Sequence, residues 1–203
     1  DSVPHLVDGP AWTAGPLLDS CLEAVDRLDD WIGERDTAAA ASGRTVEVER
    51  KLEATIGETP DGLPVVLAGR TDRLEIDPDG HALVIDFKTG KTPKTKKEAA
   101  DSTQLKAYQL LVAAQDNADD RTPAATPWLP DGAMLVYPRR VAASITVLQQ
   151  PTLTEEQLAE LREFAVSAAN RIAGPIYRAT TKDCEGTGRA CLCPACRAGE
   201  QVV

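Results

Sequence analysis

Two aspartates and a lysine are the residues best placed to do chemistry together. Asp72 lies in Gly69-Arg70-Thr71-Asp72-Arg73, and Asp86 opens Asp86-Phe87-Lys88-Thr89-Gly90-Lys91, fourteen residues further on. Asp86 and Lys88 are two apart, so on a strand both side chains leave the same face. Between the aspartates runs Asp77-Pro78-Asp79-Gly80, a turn in which proline presets φ and glycine accepts positive φ. A strand folded back at that turn brings Asp72 and Asp86 close. Two carboxylates at short range repel unless one is protonated or a cation lies between them. A hard divalent cation with oxygen ligands is the natural partner, and the Phe87 backbone carbonyl is free to add a ligand. Such an ion polarises a phosphoryl oxygen and lowers the pKa of a bound water. Lys88, at the rim, meets the charge spread over the phosphoryl oxygens. The set suits metal-assisted phosphodiester hydrolysis.

The elements that must position this set follow from periodicity. Residues 1–16 hold Pro4, Gly9, Pro10, Gly15 and Pro16 and read as an irregular lead-in. From Leu17 a helix is expected, with Leu18, Cys21, Val25, Leu28 and Ile32 as its apolar stripe. Residues 45–57 alternate, which predicts a strand with Val46, Val48, Leu52, Ala54 and Ile56 on one face. Val65–Ile76 and His81–Lys88 are the next two strands, making an antiparallel meander. Lys88–Lys97 reads as a loop, and Glu98–Gln115 as one helix with Leu105, Tyr108, Leu111 and Val112 inward. Two further strands are expected at 133–137 and 144–148. A helix capped by Thr154 then runs to Ile172, with Glu156 and Gln157 near for a capping box. The order predicts an α/β domain over residues 17–175, a mixed central sheet flanked by helices, and a cysteine-rich C-terminal tail at 176–203.

A chain of 203 residues buries a real core without staples. The net charge of −10 excludes a protein that coats nucleic acid generally, which would be basic overall. The charge is unevenly spread, however. The ten residues 88–97 contribute +5, which leaves −15 on the other 193. An acidic body with one basic lip beside a cation site suits an enzyme that grips DNA phosphates locally. No apolar run reaches the roughly 18 residues of a membrane helix, and there is no basic-then-apolar signal peptide, so a cytoplasmic chain without membrane contact is expected. The chain opens on Asp1 and its only methionine is Met134, which reads as a processed chain or an excised domain, with functional residues expected upstream. It carries no Walker loop.

Gly69-x-x-Asp72-Arg73, the turn, and Asp86-x-Lys88 running into Thr89-Gly90 resemble the PD-(D/E)xK nuclease superfamily, and within it the RecB-like branch. That branch also carries Gln-x-x-x-Tyr on the following helix, matched by Gln104 and Tyr108, which four-residue spacing puts on one helical face. The resemblance covers residues 45–112 best. It implies a restriction-endonuclease-like core and a Mg²⁺- or Mn²⁺-dependent deoxyribonuclease, exonuclease rather than endonuclease. Asp72, Asp86 and Lys88 would be catalytic, and Asp72, Asp86 and the Phe87 carbonyl would hold the metal. Arg73, Lys91, Gln104 and Tyr108 would bind DNA or support the site. It further implies a role in double-strand break repair or recombination, joined to a helicase domain or a partner helicase–nuclease subunit. A stand-alone exonuclease of the CRISPR-adaptation type, or an inactive nuclease fold that binds DNA as a scaffold, are the alternatives.

Two departures matter. The branch usually places a histidine or glutamate on an early helix to complete the metal site. His5 lies in a Pro/Gly-rich stretch, which leaves Glu23, Glu47, Glu49 or a residue before Asp1. Four of the five cysteines crowd the tail, and an odd, end-loaded set points to a metal or cluster site over a disulfide framework. The branch resemblance implies a 4Fe–4S cluster held by cysteines, but Cys184, Cys191, Cys193 and Cys196 do not have its usual spacing. Either Cys21 or an upstream cysteine joins three of them, or the four form a self-contained site that would equally suit tetrahedral Zn²⁺. Cys21 also sits on its helix's apolar stripe, where free cysteine commonly packs.

Overall fold

The computed structural model describes residues 11–90, 92–115, 128–138 and 144–173. The elements are α1 (Ala11–Ala41), β1 (Thr45–Glu58), β2 (Pro64–Ile76), β3 (His81–Phe87), α2 (Lys96–Ala100), α3 (Thr103–Ala113), β4 (Leu129–Tyr137), β5 (Thr146–Gln150) and α4 (Glu155–Ala173). They build one five-stranded sheet in the order β1-β2-β3-β4-β5. The first three strands form the expected antiparallel meander, β3 and β4 are parallel, and β4 and β5 antiparallel. The parallel pair needs a crossover, and α2 and α3 supply it across one face. Leu105, Leu111 and Val112 of α3 pack there on Leu52, Leu74, Val84 and Leu135 in the main core. On the other face, Trp31 of α1 joins Leu83, Ile85 and Val136, with Phe87 edge-on to the indole at 6.0 Å.

Several elements differ from the periodicity reading. The first helix starts at Ala11, inside the expected lead-in, and includes Gly15 and Pro16. Proline at the sixth helical position lacks the N–H of one intrahelical bond, a cost that the 31-residue helix bears near its start. Its inward stripe agrees in part: Leu18, Cys21, Leu28 and Ile32 are half-buried as expected, but Leu17 and Val25 are exposed and Ala24 and Ala39 are buried.

The single helix expected over Glu98–Gln115 is two. Thr95 and Glu98 form a reciprocal capping box that starts α2. Asp101 ends it, and Ser102 takes an extended conformation (φ −61°, ψ 111°) before α3 begins. The Gln150 amide bridges the break, donating to the carbonyls of Ala99 (3.2 Å), Ala100 (2.8 Å) and Ser102 (3.2 Å); the first and last also accept the Ser102 and Lys106 backbone N–H groups. Gln150 lies about fifty residues away, beyond any window of local periodicity. The last two strands are likewise shifted, to Leu129–Tyr137 and Thr146–Gln150. The α4 cap agrees with expectation: Thr154 Oγ1 accepts the Gln157 N–H at 3.2 Å and Gln157 Oε1 accepts the Thr154 N–H at 3.0 Å.

In β1 the apolar residues do not share one face. Leu52, Ala54 and Ile56 face α3 and α4, whereas Val46 and Val48 line a cavity with Ile32, Asp36 and Ala39 of α1. The switch lies at Glu49, whose φ of 51° is rare for a residue with a Cβ. A left-handed residue reverses the alternation, and Glu49 sits between the Val48–Arg73 and Arg50–Thr71 pairs, opposite Asp72.

Candidate active site

The β2–β3 register brings the two aspartates together. The last ladder pair is Arg73 with Ile85, so the next step sets Asp72 opposite Asp86. The ladder stops there, and the Asp72 side chain takes its place: Oδ2 accepts the Phe87 backbone N–H at 2.7 Å. In an extended strand the N–H and C=O of one residue leave on the same edge, so the Phe87 carbonyl faces the side Asp72 occupies.

Asp86 is buried, 3% exposed, where β3 meets the start of α3. Its Oδ1 accepts from Gln104 Nε2 at 3.0 Å, and its Oδ2 is 2.6 Å from Lys88 Nζ. Lys88 Nζ donates to Gln104 Oε1 at 2.9 Å, closing a three-residue ring. Tyr108, one turn along α3, lies 3.4 Å from Gln104 Nε2 and donates to the Arg70 carbonyl at 2.7 Å. Gln104 and Tyr108 thus tie α3 to both the β3 end and the Gly69–Arg73 segment. Gly69 explains itself in the same packing: a Cβ there would come within 3.1 Å of the Tyr108 ring and 3.2 Å of Leu111.

Burial pushes the Asp86 carboxyl above the ordinary carboxylate range, and the Asp72 charge adds to that. Lys88, by hydrogen bond and charge, and Lys94, by charge, oppose the shift. Lys94 is exposed, and its backbone N–H reaches the Tyr137 hydroxyl at 3.4 Å. Local pattern had marked it only as one lysine of a basic run.

The residues fit a divalent cation. Asp86 is 3% exposed, and among the described residues its only charged partner of opposite sign in contact is Lys88, 2.6 Å from Oδ2, while the Asp72 charge also acts on it. Two carboxylates this close, one of them buried, make a set of hard oxygens that suits a divalent cation. Asp72, Asp86 and the Phe87 carbonyl would be its protein ligands, all hard oxygens. The ion would supply a water of lowered pKa and polarise the phosphoryl group.

Among the described residues no third carboxylate or imidazole joins this pair. The one such three-membered group there is Asp77, Asp79 and His81, in the β2–β3 turn at the opposite end of β3. Its central carboxylate is already committed, with Asp77 Oδ1 accepting the Asp79 and His81 N–H groups at 3.0 and 2.8 Å. Glu23 pairs with Arg27, Glu47 with Arg50 and Glu49 with Arg70, all apart from Asp86. His5, Lys91 and the cysteines at 184, 191, 193 and 196 lie outside the described residues; Cys21 is a half-buried free thiol.

Arg73 is not beside Asp72 in the site. It leaves the opposite face, 3% exposed, with its guanidinium 2.8 Å from Glu75 and 2.8 Å from Asp36. Arg35 grips the same Glu75 through two hydrogen bonds of 2.9 and 2.8 Å. This network locks α1 to β2 behind Asp72, and a buried, doubly paired guanidinium cannot meet a DNA phosphate without breaking it. The reason is alternation: adjacent residues on a strand point to opposite faces.

No curated protein matches the sequence. Among solved structures the chain is similar to the crystal structure of SSO0001, with 17% identity and a TM-score of 0.33, over 70% of this chain and 59% of that one. The sequence model of the PD-(D/E)XK nuclease superfamily matches residues 2–198. That match spans nearly the whole chain, and the sheet it implies is the mixed, helix-flanked sheet that carries Asp72, Asp86 and Lys88. The chain belongs to the PD-(D/E)XK nuclease superfamily.

Proposed function

We propose that this nuclease domain is a Mg²⁺- or Mn²⁺-dependent deoxyribonuclease of the RecB-like branch, acting on DNA ends as an exonuclease. The observation that carries the reading is Asp86 bound at once by Lys88 and Gln104, with Asp72 latched to the next residue's backbone. In this reading Asp72 and Asp86 hold the metal, and Lys88 positions or activates the attacking water beside the scissile phosphate. Lys94, Lys96 and Lys97 grip the neighbouring backbone phosphates. The chain would serve double-strand break repair or recombination, alongside a helicase domain or a partner helicase–nuclease subunit. The four tail cysteines would hold a 4Fe–4S cluster or Zn²⁺, stabilising only the folded state.

The test compares the wild type with Asp86→Ala on linear and circular DNA, single- and double-stranded, with Mg²⁺ or Mn²⁺. Cleavage of linear DNA that disappears in the variant and spares circles supports the reading; cutting of circles would instead make the enzyme an endonuclease. The absorbance of purified protein separates the tail readings, since a band near about 400 nm marks iron–sulfur and a colourless protein with stoichiometric zinc does not. A second reading, an inactive nuclease fold that holds DNA, draws on the missing third acidic or imidazole ligand among the described residues. It predicts DNA binding with no hydrolysis under any divalent metal.

A further inference from the structure

Two glutamines are buried in the core outside the carboxylate site, and their hydrogen bonds form a single directed chain that ends at the α2–α3 break, two residues before Gln104. Gln109 of α3 is fully buried, and Gln150, at the end of β5, is 2% exposed. Buried primary amides are costly unless every donor and acceptor is used. Here backbone groups dictate their orientation. Gln109 Oε1 accepts the Leu153 backbone N–H at 2.9 Å, so its Nε2 must point the other way. That Nε2 donates to the Pro151 carbonyl at 3.1 Å and to Gln150 Oε1 at 2.9 Å. With its oxygen so engaged, Gln150 directs its own Nε2 onto the carbonyls of Ala99, Ala100 and Ser102. No amide flip satisfies the same set, because a flip sets carbonyl oxygen against carbonyl oxygen.

Those three carbonyls are the break between α2 and α3. Ser102 is the residue before α3, and Gln104, two positions later, is the side chain that donates to Asp86 and accepts from Lys88. The direction in which α3 leaves the break therefore sets where the Gln104 amide stands relative to Asp86. Resting on the nuclease reading above, we propose that Gln150, oriented by Gln109, is a positioning residue for the active site. It acts through the first turn of α3 and holds Gln104 in register with Asp86 and Lys88. Gln150 touches neither substrate nor metal. A hydrophobic residue of equal volume would strip the side-chain donor from all three carbonyls; those of Ala99 and Ser102 would keep the backbone N–H groups of Ser102 (3.1 Å) and Lys106 (3.0 Å), and the Ala100 carbonyl would lose its 2.8 Å bond.

The experiment uses the full chain and four variants: Gln150→Met, Gln109→Met, Gln104→Met and the double Gln150→Met/Gln104→Met. Leu158→Ala, in the cluster that packs α4 on Ile56, Val65 and Leu110, serves as a control that loosens the core without removing any hydrogen bond of the glutamine chain. Two readouts are taken, Mn²⁺-dependent cleavage of linear DNA and the ¹H–¹⁵N signal of the Gln104 side-chain amide in metal-free protein. Loss of Gln150, one step further out than Gln104, is expected to lower kcat by about 10-fold, the low end of the cost of losing a group that orients a metal ligand. It should also shift the Gln104 signal, which Leu158→Ala leaves in place. In the double variant the Gln104 and Gln150 losses should overlap, leaving kcat no lower than in the worse single. If Gln150→Met does not fold, Gln109→Met retains the carbonyl donors, frees their orientation and is expected to show the same shift in smaller measure. A folded variant with an unmoved Gln104 signal, or fully additive losses, overturns the proposal. A wild type that cuts nothing overturns the nuclease reading instead, and the amide signal still decides this one.

Discussion

The Phe87 backbone N–H donates to Asp72 Oδ2 at 2.7 Å, so the end of one strand is fastened to the carboxylate of its neighbour. The bond does two things. It fixes Asp72 opposite Asp86, and it closes the β2–β3 ladder with a side chain where the backbone no longer pairs. In the proposed role of metal ligand, Asp72 would keep its place through this main-chain donor whether or not an ion is bound.

Asp86→Asn tests the electrostatic reading of the site. Burial, with the Asp72 charge adding, raises the Asp86 carboxyl above 3.8 in metal-free protein. The native state then holds this proton more tightly than the unfolded chain does. Its stabilising effect is full below about pH 3.8 and is lost as pH rises through the folded pKa. Without metal, Asp86→Asn should remove that loss and leave Tm near pH 7 unchanged or higher. With Mn²⁺, which needs the carboxylate, the wild type should gain Tm and the variant should not. Thermal melts across pH, with and without Mn²⁺, check both.

Lys88→Met should lower kcat by about 10²–10³-fold, the usual cost of removing one positioned donor of transition-state charge. Mn²⁺ affinity should stay the same or rise, because the ammonium 2.6 Å from Asp86 Oδ2 competes with a cation there. Calorimetric metal titration beside steady-state kinetics separates the two effects, and a parallel fall in metal affinity would count against the assigned role.

Glu75→Ala removes the carboxylate shared by Arg35 and Arg73. It leaves Arg73, 3% exposed, short of a partner in the core. Breaking a buried pair from one side costs about 3–5 kcal/mol, readable by urea denaturation. Arg73→Ala should also destabilise, yet leave the salt dependence of DNA binding unaltered in the protein that remains folded.

The triple change Lys94→Gln, Lys96→Gln and Lys97→Gln tests the basic lip. These three side chains are exposed. If each neutralises one phosphate, the slope of log affinity against log salt should fall by about 0.9 per lysine on duplex DNA. Fluorescence anisotropy from low to physiological salt measures it; an unchanged slope would place the DNA elsewhere.

Gly69→Ala should cost about 1–3 kcal/mol by overpacking, since the new Cβ would press on the Tyr108 ring and Leu111. The same displacement pulls the Tyr108 hydroxyl from the Arg70 carbonyl, so activity should fall with stability. Chemical denaturation and cleavage rates on one preparation test the pairing.

Local pattern determined a good deal of this protein. The three meander strands lie within about a residue of their expected bounds: alternation marks the first, and the Asp77–Gly80 turn separates the other two. The Thr154–Gln157 cap, the Asp77–Gly80 turn and the Asp86-x-Lys88 pair were readable for the same reason: all act within one turn or one pleat. The four-residue spacing of Gln104 and Tyr108 predicted a shared helical face, and both side chains reach the site. Tertiary structure decided the rest, through partners far apart in the chain. The α2–α3 break depends on Gln150, about fifty residues on. The reversal at Glu49 splits one apolar alternation between two faces, and a backbone φ is not legible in a pattern of hydrophobicity. Arg73 looked like a neighbour of Asp72 because it is the next residue, but pleating sends it to the far face, where two acids hold it. Sequence names the groups that can do chemistry; which of them meet is set by long-range pairing.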